Sequence, residues 1–142
     1  LGEYVPFYFC PRSVMLYVSA RGSSDYTGQE REILHLVSRV SVATAGTRWV
    51  FSDRHAEVGH AEHFDDLVHL AKIQWDAVDA QKWTTCKEEK QAEFLVKDFF
   101  PWDKIHFIGV RDALILQQVN QILAAAGRTP PPVEQRPQWY YT

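Results

Sequence analysis

Lys90-Gln91-Ala92-Glu93-Phe94-Leu95-Val96, with Phe99-Phe100-Pro101-Trp102 behind it, is the stretch on which the reading of this chain turns. Phe94 to Val96 is a compact apolar run of the kind that forms a buried strand. Gln91-Ala92-Glu93 leads straight into it, so a carboxylate stands at the mouth of that strand. An isolated glutamate is ordinarily a solvated surface group. One placed where a polar turn enters the core is positioned to serve a site.

Working outward, His106 to Val110 reads as the next strand. Asp112 to Ala126 is the clearest helix, with apolar residues at Ala113, Leu116, Val119, Leu123 and Ala126, and with Leu114 and Ile122 widening the stripe. Asp112 caps its start, Gly127 its end, and Pro130-Pro131-Pro132 forbid continuation. Val133 to Tyr141 is a last extended segment, and Pro137 marks it as an edge.

Toward the N-terminus, Pro6 to Phe9 is a short aromatic strand ended by Cys10-Pro11, and Arg12 to Val18 a short helix. Residues 21–29 form a loop. Ile33 to Val42 alternates in its second half (Leu36, Ser38, Val40, Val42), which predicts a strand. Ala45-Gly46-Thr47 is a turn, and Trp49 to Phe51 the returning strand. Asp53 to Ala71 has helical spacing and carries His55, His60, His63 and His69. Ile73 to Glu89 is irregular and polar.

Short mixed strands with a few helices predict an α+β domain. No internal repeat or linker divides the chain, so residues 1–142 are expected to form a single domain. Strands and helices do not alternate regularly, which argues against a Rossmann sheet, and neither GxGxxG nor GxxxxGK[ST] is present.

The chain has 15 basic and 18 acidic residues, a net charge of -3. That balance excludes blanket neutralisation of nucleic-acid phosphates; contact with DNA has to be local, over a few nucleotides. Aromatics at 13% suit either a core or a pocket for flat rings. The two cysteines, Cys10 and Cys86, lie far apart and read as free thiols in a reducing cytoplasm. No apolar run approaches membrane-spanning length and no signal-peptide pattern opens the chain. His60, Glu62 and His63, with His55 and His69 nearby, are ligand-type residues, but the HExxH order is absent, and surface histidines are the reading; no metal is expected.

Several blocks together resemble the catalytic core of the DarT-type toxins, which use NAD to ADP-ribosylate bases in single-stranded DNA. They are residues 4–17 (YVPFYFCPRSVMLY), residues 51–56 (FSDRHA), the stretch quoted first, and residues 133–141 (VEQRPQWYY). The resemblance implies an ADP-ribosyltransferase-like fold, with two small splayed sheets, mixed or antiparallel, flanking helices and NAD as co-substrate between them. It implies that Glu93 is catalytic. Positive charge grows on the ribose as nicotinamide leaves, and a fixed carboxylate stabilises that charge.

The first block then lines the nicotinamide pocket, with Tyr8 stacking on the ring, Ser13 bonding its amide and Met15 packing against it. Plain core is the competing account of these residues; by alternation Tyr8 points opposite to Phe7 and Phe9. The stretch from His55 to Glu93 resembles the family's substrate loop. There His55 matches an Asp-x-His-Ala pattern, Lys87 and Lys90 are placed to touch DNA phosphate, and Trp75 or Trp83 to stack on bases, although Glu88 and Glu89 interrupt the basic run.

Relatives also carry an NAD-binding histidine and a base-deprotonating arginine before the first block. Neither is found here, and Arg12 and Arg21 are not at the matching position. The chain opens on Leu1-Gly2 and enters a strand almost at once, so a domain incomplete at its N-terminus is expected. The resemblance implies transfer to thymine or guanine, a toxin–antitoxin role and a DarG-like macrodomain antitoxin as partner. The competing expectations are a truncated, inactive relative that retains only a DNA- or antitoxin-binding surface, and a target that is RNA or protein.

Overall fold

The computed structural model describes residues 2–142. In chain order the elements are β1 (Tyr4–Tyr8), α1 (Val14–Ala20), β2 (His35–Val37), α2 (Val40–Ala43), β3 (Trp49–Ser52), β4 (His63–Phe64), α3 (Trp75–Asp79), α4 (Lys87–Lys90), β5 (Glu93–Lys97), β6 (Phe107–Val110), α5 (Ala113–Ala125) and β7 (Val133–Gln135). The chain forms two compact units that interleave in sequence. One takes the described residues up to Val14 and Ala43–Phe100; the other takes Met15–Val42 and Pro101–Thr142.

The first unit holds a four-stranded sheet in the order β1-β5-β3-β4, antiparallel throughout. β5 is an inner strand, and its first four residues are buried. That explains why it reads as an apolar run rather than as an alternating strand. The register pairs Tyr8 with Glu93 and Phe7 with Phe94 on one side, Phe51 with Phe94 on the other, and Phe51 with Phe64 and Ser52 with His63 at the edge. Because side chains alternate, the two faces differ. One carries an aromatic core in which Phe51 is fully buried, with ring centroids 5.4 Å from Phe64 and 6.1 Å from Trp49. The other carries Tyr8, Glu93, Ser52 and His63 as one polar row across all four strands.

The second unit holds the three-stranded sheet β2-β6-β7, antiparallel between β2 and β6 and parallel between β6 and β7. β7 is an edge, as Pro137 predicts. Gly109 of β6 is needed there, since a Cβ would stand 2.6 Å from the Trp139 ring. The buried Glu30 carboxylate accepts the Thr142 backbone N–H at 2.9 Å, and the Tyr140 hydroxyl donates to the Ile33 carbonyl at 2.6 Å. Asp112 caps α5 by accepting the Ile115 N–H at 3.1 Å, and Gly127 has a φ of +73° past its end. Among the described residues no helix is long and apolar enough to cross a membrane.

Four expectations about elements are corrected. The alternating residues Val40 and Val42 lie in the single turn α2, and the strand is only His35–Val37. The apolar stripe of α5 is narrower and shifted: Ile115 and Val119 are buried, whereas Leu114 and Ile122 are 51% and 69% exposed. Asp53 to Ala71 is not a helix. Asp53 closes this loop on itself, its N–H donating to the Glu62 carbonyl at 3.2 Å and its Oδ1 accepting the Glu62 N–H at 3.0 Å. The closure turns His63–Phe64 back onto β3, and Asp66 then caps a short 3-10 helix, Leu67–Lys72. Residues 73–89, read as irregular, contain α3 and the start of α4.

The aromatic face fixes β3 against β5, so emptying its centre should loosen the whole first unit. Phe51→Ala is expected to lower stability by about 3–5 kcal/mol in urea unfolding.

Candidate active site

Glu93 is the first residue of β5, and its surface is only 9% exposed. A carboxylate so placed needs hydrogen-bond donors, because burial of an unpaired charge is strongly unfavourable. The Ala56 backbone N–H donates to Glu93 Oε2 at 2.9 Å. His55 Nδ1 stands 3.6 Å from the same oxygen. The other oxygen, Oε1, takes no hydrogen bond from the described residues, which leaves one lone-pair face of a held carboxylate open to a hydroxyl or a developing positive charge.

The backbone around Glu93 is pinned as well. Its N–H donates to Ser52 Oγ at 3.1 Å, and that hydroxyl in turn donates to the Arg54 carbonyl at 2.5 Å. The His55 N–H donates to the Glu88 carbonyl at 2.9 Å, which ties the turn after β3 to α4. Arg54 spreads its guanidinium over Asp53, Glu89 and Glu88 at 3.3, 3.6 and 3.9 Å.

Tyr8 lies directly across the strand pair from Glu93. Burial pushes its phenol pKa upward, with further contributions from the Glu93 carboxylate and from Cys10. The phenol therefore stays protonated at neutral pH and is able to donate a hydrogen bond or to present its ring.

Of the residues singled out in the sequence, Glu93, Tyr8 and His55 converge on one spot. Ser13 is buried in the first unit. Met15 belongs to the second unit and is 58% exposed. Lys87 is exposed at the start of α4. Trp83 is half-buried, and Trp75 is partly exposed, with its indole N–H donating to the Leu70 carbonyl at 3.1 Å and its ring edge-on to Phe9.

Lys90 departs from its expected role as a phosphate contact. It is 3% exposed, and its ammonium donates at 2.7 Å to the Val78 carbonyl at the end of α3. The charge serves the terminal carbonyls of a helix rather than solvent or DNA. His60 Nε2 sits 3.0 Å from Glu88 Oε2, and among the described residues no group of His, Cys, Asp and Glu side chains is arranged to hold a metal ion. Sequence reasoning passed over Ser52 and the Ala56 N–H. The signal available for Ser52 was a lone hydroxyl closing an apolar strand inside one of the resembling blocks.

The two small sheets, their short helices and the carboxylate at the head of an inner strand define an α+β fold of the ADP-ribosyltransferase type. The family described as ssDNA thymidine ADP-ribosyltransferase, DarT, matches residues 1–141, and this chain belongs to it. It is 51% identical to a DNA ADP-ribosyl transferase of Thermus aquaticus over 143 residues, covering 99% of this chain and 64% of that relative's length. The structure of Thermus sp. 2.9 DarT in complex with carba-NAD+ superimposes with a TM-score of 0.95 at 42% identity, covering 99% of this chain and 74% of that one. The same Thermus protein in complex with ADP-ribosylated ssDNA gives a TM-score of 0.91 at 43% identity, covering 98% and 69%.

The placement of Lys90 has a measurable consequence. Lys90→Met leaves a buried helix-end carbonyl without its donor and should cost about 1–3 kcal/mol in urea unfolding. Lys87→Ala, on the surface, should stay within about 0.5 kcal/mol of the parent protein.

Proposed function

We propose that the protein to which this chain belongs transfers ADP-ribose from NAD to a base in single-stranded DNA, with Glu93 as the catalytic carboxylate. The observation that carries the reading is the state of that side chain: nearly buried, one oxygen held by the Ala56 N–H, the other without a hydrogen bond from the described residues. Its support beyond geometry is the Thermus relative, which has been seen both with an NAD analogue and with ADP-ribosylated DNA.

The residues present fit a dinucleotide's ribose. A free carboxylate oxygen in a largely dry position suits a ribose hydroxyl, and Tyr8 beside it offers a flat ring and a protonated phenol. NAD, when bound, supplies the ADP-ribosyl group with nicotinamide as the leaving group. The bond from ribose to nicotinamide breaks, its electron pair departs with nicotinamide, and a nitrogen of the base forms the new bond and sheds its proton.

Glu93 acts by electrostatics. It is fixed before the reaction, so no reorganisation is required when positive charge develops on the sugar. The Ala56 N–H keeps the carboxylate from swinging away while Oε1 orients the ribose. His55, 3.6 Å from Oε2, lies at the start of the loop we assign to presenting the target base. Exposed Lys87 is the residue of that loop we assign to DNA phosphate, and Trp75 and Trp83 are those we assign to base stacking.

The family description favours thymine over guanine as the modified base. The same reading makes the protein the toxin of a toxin–antitoxin pair in the cytoplasm, with a macrodomain protein that removes the mark as its partner.

The test uses the full-length protein that contains these residues, labelled NAD and thymine-containing single-stranded oligonucleotides. Glu93→Gln should lower the labelling rate by roughly 10²–10³ while the protein stays folded. Equal labelling by the variant would remove Glu93 from the chemistry. Labelling confined to RNA or protein would move the target class.

A further inference from the structure

We infer that Ser52 is a positioning residue for the catalytic carboxylate, acting as a two-way hydroxyl clamp between the end of β3 and the head of β5. The inference rests on the proposed role of Glu93 and goes beyond it by naming what holds that group in place.

Ser52 is fully buried, and it is the last residue of a strand whose other residues are aromatic or aliphatic. Its Oγ uses both of its capacities. It accepts the Glu93 N–H at 3.1 Å and donates to the Arg54 carbonyl at 2.5 Å. Both partners are backbone groups, so the clamp sets main-chain positions rather than side-chain rotamers.

The second bond is the informative one. Arg54 is two residues further on, so the hydroxyl curls residues 52–54 into a tight turn. That turn delivers the Ala56 N–H to Glu93 Oε2, at 2.9 Å. Strand pairing does not reach that far: β3 ends at Ser52, the Asp53 N–H makes one further bond, to the Glu62 carbonyl, and residues 54–56 lie outside every strand among the described residues. The result is a closed loop of three hydrogen bonds, Glu93 N–H to Ser52 Oγ, Ser52 Oγ–H to the Arg54 carbonyl, and Ala56 N–H back to Glu93 Oε2.

Removing the hydroxyl breaks two of these bonds at once and leaves the third without its frame. Both bonds of the Ser52 hydroxyl go to main-chain groups. Its effect is on where the carboxylate sits, and misplacement by about 1 Å is enough to lower a rate roughly 10²-fold.

The experiment compares Ser52→Ala, Ser52→Thr and Glu93→Gln in the full-length protein, using kcat and KM for NAD, thermal unfolding, and amide hydrogen exchange at Ala56. For Ser52→Ala, assayed well below its unfolding midpoint, the expected result is a fall in kcat of roughly 10–10²-fold. KM for NAD should stay within about threefold, with faster exchange at Ala56, and Ser52→Thr, which keeps the hydroxyl, should stay close to the parent. The inference is overturned by a folded Ser52→Ala whose kcat is unchanged, by an Ala56 amide that exchanges as in the parent, or by a loss that Ser52→Thr shares. Failure of the underlying reading looks different: the parent protein labels nothing, or Glu93→Gln labels as well as the parent.

Discussion

The hydrogen bond from the Ala56 N–H to Glu93 Oε2 is the contact around which the first unit is organised. A carboxylate brought this close to an apolar core has few ways to remain there. It must be neutralised, paired with a cation or given donors, and a backbone N–H is a donor that neither titrates nor changes rotamer. The donor comes from the chain just after β3, the acceptor from the first residue of β5, and these strands are neighbours because Phe51 and Phe94 stack on the opposite face. The aromatic face supplies the stability; the polar face uses the geometry it enforces. One strand register serves both, since a slip by a single residue would send Glu93 into the ring cluster and Phe94 to the site.

The sequence is legible where burial is continuous or where caps are explicit. Phe94–Val96 announces β5, Trp49–Phe51 announces β3, and Asp112 with Gly127 brackets α5 nearly to the residue. It is misleading where a local side chain sets the path. Nothing in the spacing of His55, His60 and His63 reveals that Asp53 bonds the backbone of Glu62 in both directions and so replaces a helix by a returning edge strand. Val40 and Val42 alternate as a strand does, but the chain turns before they can pair.

At the site, the block resemblance carried Glu93, whose proposed chemistry depends on residue type. Lys90 shows the limit of that route. A lysine three residues before such a glutamate looks like a phosphate ligand until a helix end is found waiting for its ammonium. The Ala56 N–H was invisible for a simpler reason: a backbone donor has no letter in the sequence.

The charge balance also finds its place. A chain with a net charge of -3 is unsuited to gripping long nucleic acid, and the acidic residues Asp53, Glu88 and Glu89 close to the site are occupied by Arg54. The proposed function asks for no more than a grip on one dinucleotide and one base. The chain spans 64% of the length of its Thermus aquaticus relative, and the carboxylate and its whole hydrogen-bonded setting fall within that span.

The most direct test is a crystal structure of the full-length protein with an unreactive NAD analogue. A Glu93 carboxylate oxygen is expected at about 3 Å from a hydroxyl of the nicotinamide ribose, with Oε2 still bonded to the Ala56 N–H. A bound dinucleotide whose ribose lies beyond about 5 Å from Glu93, or a carboxylate swung off Ala56 toward solvent, would contradict the role assigned to this side chain.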